Sequence, residues 1–221
     1  MRWRNIAFMN DTLIIEAKTS TPQRVIVWLH GLGASGNDLA PLCRYFASDI
    51  RHVLPNAPIR PVTLNNGYAM PAWYDIRGTE LLDREDEIGI TASTEQVHGW
   101  VEQQIRQGIA SKNIILAGFS QGGALALHAG LQYKNQLGGI VALSCYLPLA
   151  KALATAPTQQ LDTPVFIAAG QADPIVNINW SKAAYDQLEK AGCRHLTWKT
   201  NPMEHAICPD EIRDIVGWVD A

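Results

Sequence analysis

Gly118-Phe119-Ser120-Gln121-Gly122 places a serine between two glycines, each two residues away. A serine hydroxyl is a weak nucleophile until a base takes its proton. The apolar run over residues 113–117 reads as a strand, and the uncharged stretch after the motif reads as a buried helix. A serine on such a strand-to-helix turn stands above the sheet, beside the positive end of the helix. The turn brings the residues two before and two after the serine too close for side chains, so both are glycine.

The base must come from six histidines. His98 and His128 fall in helical patterns, where a satisfied core or surface histidine is the default, and His52 and His195 open predicted strands. His205 lies in Asn201-Pro202-Met203-Glu204-His205-Ala206-Ile207-Cys208-Pro209, between the last predicted strand and the last helix. On sheets of this kind the recurring chain order is serine, acid, histidine. Asp173 falls between the other two, just past the strand at 164–169, where open α/β sheets build their sites. Asp162 precedes that strand, while Asp186 and Glu189 lie within a helix. An aspartate before proline is also a common turn former, so Asp173 has a purely local reading as well.

Gly31-Leu32-Gly33-Ala34-Ser35-Gly36 follows the strand at 24–29 and has two readings. The G-x-G-x-x-G spacing matches a dinucleotide fingerprint, which needs an acid about 20 residues on. Here the next strand runs into Pro55-Asn56-Ala57-Pro58 with no carboxylate. The other reading is a loop beside the nucleophile. The backbone N–H groups of Leu32 and Gln121 then face the oxyanion that forms on attack, each such donor being worth roughly 10²–10³ in rate.

These residues need a scaffold. Strands are expected at 13–15, 24–29, 52–54, 113–117, 139–143, 164–169 and 195–198, most of them nearly continuous apolar runs suited to a parallel sheet covered on both faces. Helices are expected at 91–107, at 179–191 with Gly192 as the stop, and at 209–220 opening on proline. The alternation predicts a doubly wound α/β sheet. Residues 55–88 fit neither pattern, and a segment this long points to a lid or pocket wall. Leu32, Trp73, Ile76, Ile175 and Val176 lie next to the motifs, where lining an acyl pocket and simple core packing are both open readings.

The 221 residues contain no repeat, linker or low-complexity tract, which predicts one domain over 1–221. A net charge of −3 leaves no basic field for nucleic acid or anionic lipid. Cys43, Cys145, Cys193 and Cys208 form no CxxC pair and no zinc-spaced cluster, so no metal site is expected. They read as free, mostly buried thiols of a reducing compartment, hence a cytoplasmic protein. The basic start Met1-Arg2-Trp3-Arg4 resembles a leader, but the apolar run at 6–9 is stopped by Asn10-Asp11. Residues 113–133 carry no formal charge, yet Gly118, Ser120, Gln121, Gly122, Gly123 and His128 argue for strand, turn and helix over a membrane span.

Six motifs in one order resemble the carboxylesterase/phospholipase family, which includes bacterial carboxylesterases and acyl-protein thioesterases. They are Leu29-His30-Gly31-Leu32-Gly33, Ala72-Trp73-Tyr74-Asp75-Ile76, Asp86-Glu87-Ile88-Gly89-Ile90, Gly118-Phe119-Ser120-Gln121-Gly122-Gly123, Gly170-Gln171-Ala172-Asp173-Pro174-Ile175-Val176 and His205-Ala206-Ile207-Cys208-Pro209. The likeness runs from about residue 22 to 219. It implies an α/β-hydrolase fold without a large cap domain. It also implies a Ser120, Asp173, His205 triad and an oxyanion hole of the Leu32 and Gln121 amides. Family members hydrolyse short- to medium-chain esters, lysophospholipids or S-acyl groups on proteins, use no cofactor, and many are homodimers. Two positions depart from the pattern: Ala34 stands where the glycine loop usually has a polar residue, and Glu204 where glycine usually precedes the histidine.

The function expected from these readings is a serine carboxylesterase working through an acyl-enzyme, with a small-molecule or acyl-chain substrate. Its activity rises with pH as the general base loses its proton. The rival of another class is a ligand-binding scaffold of the same fold without catalysis, which has no need of all three triad residues. A peptidase of this fold commonly carries an extra gating domain, for which 221 residues leave no room.

Overall fold

The structure, a computed structural model, describes residues 6–9, 12–19, 21–79, 81, 84–151 and 161–221. Its main sheet has eight strands: β1 (Ile6–Met9), β2 (Thr12–Ile15), β3 (Arg24–Leu29), β4 (Ile50–Leu54), β7 (Ile114–Phe119), β8 (Gly139–Leu143), β9 (Val165–Gly170) and β10 (Leu196–Asn201). Two more, β5 (Ile59–Val62) and β6 (Tyr68–Pro71), form a separate antiparallel hairpin. The main order is β1-β2-β4-β3-β7-β8-β9-β10. From β4 to β10 every pairing is parallel, and β1 and β2 add an antiparallel edge.

The helices are α1 (Gly36–Leu39), α2 (Glu87–Arg106), α3 (Gln121–Gln132), α4 (Ile178–Ala191) and α5 (Pro209–Val219). Alternate residues of β3 show how they cover the sheet. Val25, Val27 and Leu29 join a core with Val97 and Val101 of α2, Leu125 of α3 and Leu188 of α4. Ile26 and Trp28 join the opposite core with Leu39 of α1 and Ile215 and Val219 of α5. The inner strands β3, β7, β8 and β9 therefore bury both faces, which is why their sequences are apolar without alternation.

After β3 the chain moves outward to β4, then returns to β7 on the other side of β3. The direction of winding reverses between β3 and β7, and ligand sites of open α/β sheets form at such points. Leu29 pairs with Gly118 there, so the loop after β3 and the turn after β7 emerge side by side.

Several elements differ from expectation. Helix α2 starts at Glu87, not 91, because Gly89 leaves room for the Asp86 carboxylate inside the first turn. That carboxylate accepts the Asp75 N–H at 3.0 Å. The hairpin of β5 and β6 lies within the 55–88 segment, where Pro61 and Pro71 obscure its strand character. Residues 113–133 resolve into β7, a turn and α3, and among the described residues no helix is long and apolar enough to cross a membrane. The four cysteines are unpaired thiols, with burial pushing Cys43 up to about 12.

Candidate active site

Ser120 has φ 56° and ψ −122°, left-handed backbone that a residue with a side chain adopts only under strain. Its surroundings impose that geometry. The Ser120 N–H donates to the Leu143 carbonyl of β8 at 2.9 Å, and its own carbonyl accepts the Ala124 N–H at 2.9 Å. A Cβ at 118 would collide with the Gly122 backbone, and one at 122 with the Leu29 carbonyl. The two glycines let β3, β7 and α3 converge to backbone contact, and the serine is what that convergence lifts clear.

His205 Nε2 lies 2.9 Å from Ser120 Oγ, and His205 Nδ1 lies 2.7 Å from Asp173 Oδ2. A carboxylate only accepts, so Nδ1 carries the hydrogen and Nε2 is the unprotonated nitrogen that faces Ser120 Oγ. Asp173 is pinned in turn, its Oδ1 accepting the N–H groups of Ile175 at 2.8 Å and Val176 at 2.9 Å. Asp173 thus closes a local turn with one oxygen and bonds His205 with the other. Its side chain is fully buried while that of His205 keeps 18% of its surface exposed, so the acid is shielded and the imidazole faces the cleft. The Phe119 ring packs 4.7 Å from the imidazole.

The segment carrying His205 crosses the end of β9, where a Cβ on Gly170 would stand 2.5 Å from the carbonyls of Met203 and Glu204. Glu204, the departure from the family pattern, is an exposed residue. Its carbonyl accepts the Ala206 N–H at 2.9 Å.

The glycine loop is explained by packing. Gly33 has φ 74° and donates its N–H to the Pro71 carbonyl at 2.8 Å. A Cβ on Gly36 would lie 2.5 Å from the Leu54 carbonyl, and its N–H donates to Asn56 Oδ1 at 2.8 Å. The spacing that resembles a phosphate cradle is thus spent against the ends of β4 and β6. His30 braces the loop from inside: Nδ1–H donates to the Gly31 carbonyl at 2.8 Å and Nε2 accepts the Ala57 N–H at 3.0 Å. Burial lowers its pKa and favours this neutral form.

Gln121 does more than its position after the serine suggests. Its Oε1 accepts the Trp73 N–H at 3.0 Å and its Nε2 donates to the Tyr74 carbonyl at 2.8 Å. The side chain thereby bonds the backbone on either side of the 73–74 peptide and bolts the long connection to the turn that carries Ser120. Trp73 is a correction to the expected pocket lining. It is fully buried, its Nε1–H donates to the His30 carbonyl at 2.8 Å, and its ring packs on His30 and Trp100 beneath the loops. The indole finds its polar partner below the cleft, not in it.

Above Ser120 opens a cleft of about 580 Å³, within the usual range for small-molecule sites. Leu32, Ile76, Ile175 and Val176 contribute to its walls, as do Leu64 and Leu81 from the 55–88 connection, which is therefore a pocket wall. Leu64 and Leu81 escaped the sequence reading because neither borders a motif. Among the described residues no group of three or more His, Cys, Asp or Glu has a metal-holding arrangement.

A strained serine bonded to an oriented histidine at the switch point of this sheet defines a serine hydrolase of the α/β-hydrolase fold, without a large cap domain. The sequence profile of the phospholipase/carboxylesterase family matches residues 10–221, and the chain belongs to that family. It is 37% identical to acyl-protein thioesterase 1 of Mycosarcoma maydis, over 95% of each chain. Among solved structures it resembles Arabidopsis thaliana SOBER1 (TM-score 0.83, 31% identity, 89% of this chain and 97% of that one). It also resembles Zea mays acyl-protein thioesterase 2 (TM-score 0.83, 27% identity, 95% and 97%).

Proposed function

We propose that this chain, acting as one domain, is a carboxylesterase for short- to medium-chain carboxylic esters that also accepts thioesters, with Ser120 as nucleophile. The observation that carries the reading is the hydrogen-bonded series Ser120 Oγ, His205, Asp173 at the floor of an apolar cleft.

His205 Nε2 takes the serine proton as Oγ attacks the carbonyl carbon, and Asp173 stabilises the imidazolium. The backbone N–H groups of Leu32 and Gln121 stabilise the oxyanion. Gln121 is the first residue of α3, so its N–H has no carbonyl one turn earlier to receive it. The imidazolium then returns its proton to the departing alcohol or thiol. Water, activated by the same imidazole, attacks the acyl-enzyme carbonyl and releases the acid with Ser120 restored. Relatives that bear the name acyl-protein thioesterase support the inclusion of sulfur esters.

The test is a panel of p-nitrophenyl esters and matched thioesters of two to sixteen carbons. Turnover of short and medium chains is expected to vanish with Ser120→Ala while the circular dichroism spectrum stays unchanged. Turnover by that variant near the wild-type rate would overturn the assignment.

A further inference from the structure

Glu211 occupies the first turn of α5 on the same stripe as Ile215 and Val219, the stripe that faces the sheet. It is fully buried, and among the described residues neither carboxyl oxygen has a hydrogen-bond partner. A glutamate three residues into a helix ordinarily reaches back to the N-cap backbone. Here the N-cap is Cys208, whose Sγ accepts the Glu211 N–H at 3.5 Å, and the carboxyl is left in the interior.

A second orphan lies on the neighbouring strand, on the face turned to α5. Lys199 of β10 pairs with Asp214 of α5 at 3.2 Å, which fixes these elements as neighbours. Asn201 lies two residues beyond Lys199, on the same face of the strand, and Glu211 lies one turn before Asp214. The Asn201 side-chain nitrogen is buried and also without a partner among the described residues. Glu211 and Asn201 thus bracket residues 202–208, the segment that carries His205.

We propose that Glu211 is a positioning residue for His205 and acts in its protonated form. A neutral carboxyl suits this buried position, whereas a carboxylate there has no compensating cation among the described residues. Lys199 is committed to Asp214, and Arg213 pairs with Asp210. On the 3₁₀ turn packed against α5, Cys43 is a neutral thiol and Arg44 is exposed and bonded to Tyr45. The β9 side chains Phe166 and Ala168, on this face, carry no charge. Burial first, and Asp214 second, push the Glu211 carboxyl up to about 8. Ionisation above that pH draws water or a new partner beneath the segment. The segment's link to the Asp173 turn, Ala172 N–H to the Met203 carbonyl at 3.1 Å, is then disturbed, and His205 loses its register.

This inference rests on the esterase reading. The experiment is the pH–rate profile of wild type, Glu211→Gln and Asp214→Asn on p-nitrophenyl butyrate, corrected for spontaneous hydrolysis. Wild type is expected to show a bell, with an alkaline limb approaching tenfold loss per pH unit beyond its midpoint. The neutral isostere in Glu211→Gln should flatten that limb to pH 9.5 with activity within about threefold of wild type at pH 7. Asp214→Asn, a surface change for use if the first variant fails to fold, should move the limb to lower pH. An alkaline limb unmoved in both variants, or a wild type flat to pH 9.5, would overturn the proposal. A wild type inactive at every pH would overturn the esterase reading, and this inference with it.

Discussion

Ser120 and His205 meet at 2.9 Å but are held by different means. The serine turn is gripped by backbone from β3, β8 and α3, and the Gln121 side chain ties a further loop to it. The histidine segment has the local backbone bonds Met203 N–H to the Asn201 carbonyl and Ala206 N–H to that of Glu204, takes one long-range bond from the Ala172 N–H, and is flanked in the chain by Asn201 and Glu211, whose buried polar atoms lack partners among the described residues. The contrast teaches that Ser120 is fixed by the fold, while His205 is placed by one buried aspartate and a segment with a single long-range backbone bond, which is easier to shift. Regions with few long-range bonds lie at the low end of local stability.

Two substitutions sharpen this comparison. The larger effect is expected from Asp173→Asn, which keeps the side chain's shape but favours the wrong imidazole tautomer. Turnover should fall by about 10⁴-fold with little change in melting temperature, as steady-state kinetics beside a thermal melt would show. A loss under tenfold would mean that the segment orients His205 without its acid. The smaller effect is on the serine side, where Gly122→Ala forces a methyl into the Leu29 carbonyl. Denaturant unfolding should record about 3 kcal/mol or more of lost stability. An alanine tolerated there within about 0.5 kcal/mol would mean that the elbow yields, and the contrast would collapse.

How much was legible in the sequence follows the same division. Ser120 was readable because its constraint is local: two glycines, a strand before and a helix after. Strand β8 matches its expected bounds, and β3 does too, because both bury two faces and leave an unbroken apolar run. Asp173 and His205 were readable only through chain order and their places past strand ends. The β5–β6 hairpin was hidden by its prolines, which sit in a small sheet apart from the main one. Trp73 drew attention as a pocket residue because size and neighbourhood cannot say which side of a loop an indole takes. Gln121 and Glu211 were opaque for a shared reason. A glutamine after the nucleophile and a glutamate in a first helical turn have ordinary local readings, and their work depends on partners, or missing partners, far along the chain.

Labelling with a fluorophosphonate probe, followed by peptide mass spectrometry, tests the central claim most directly. A single adduct on the peptide containing Ser120 is expected, absent in Ser120→Ala and formed at least about 100-fold more slowly in His205→Ala. An adduct on another residue, or undiminished labelling without the histidine, would contradict the account.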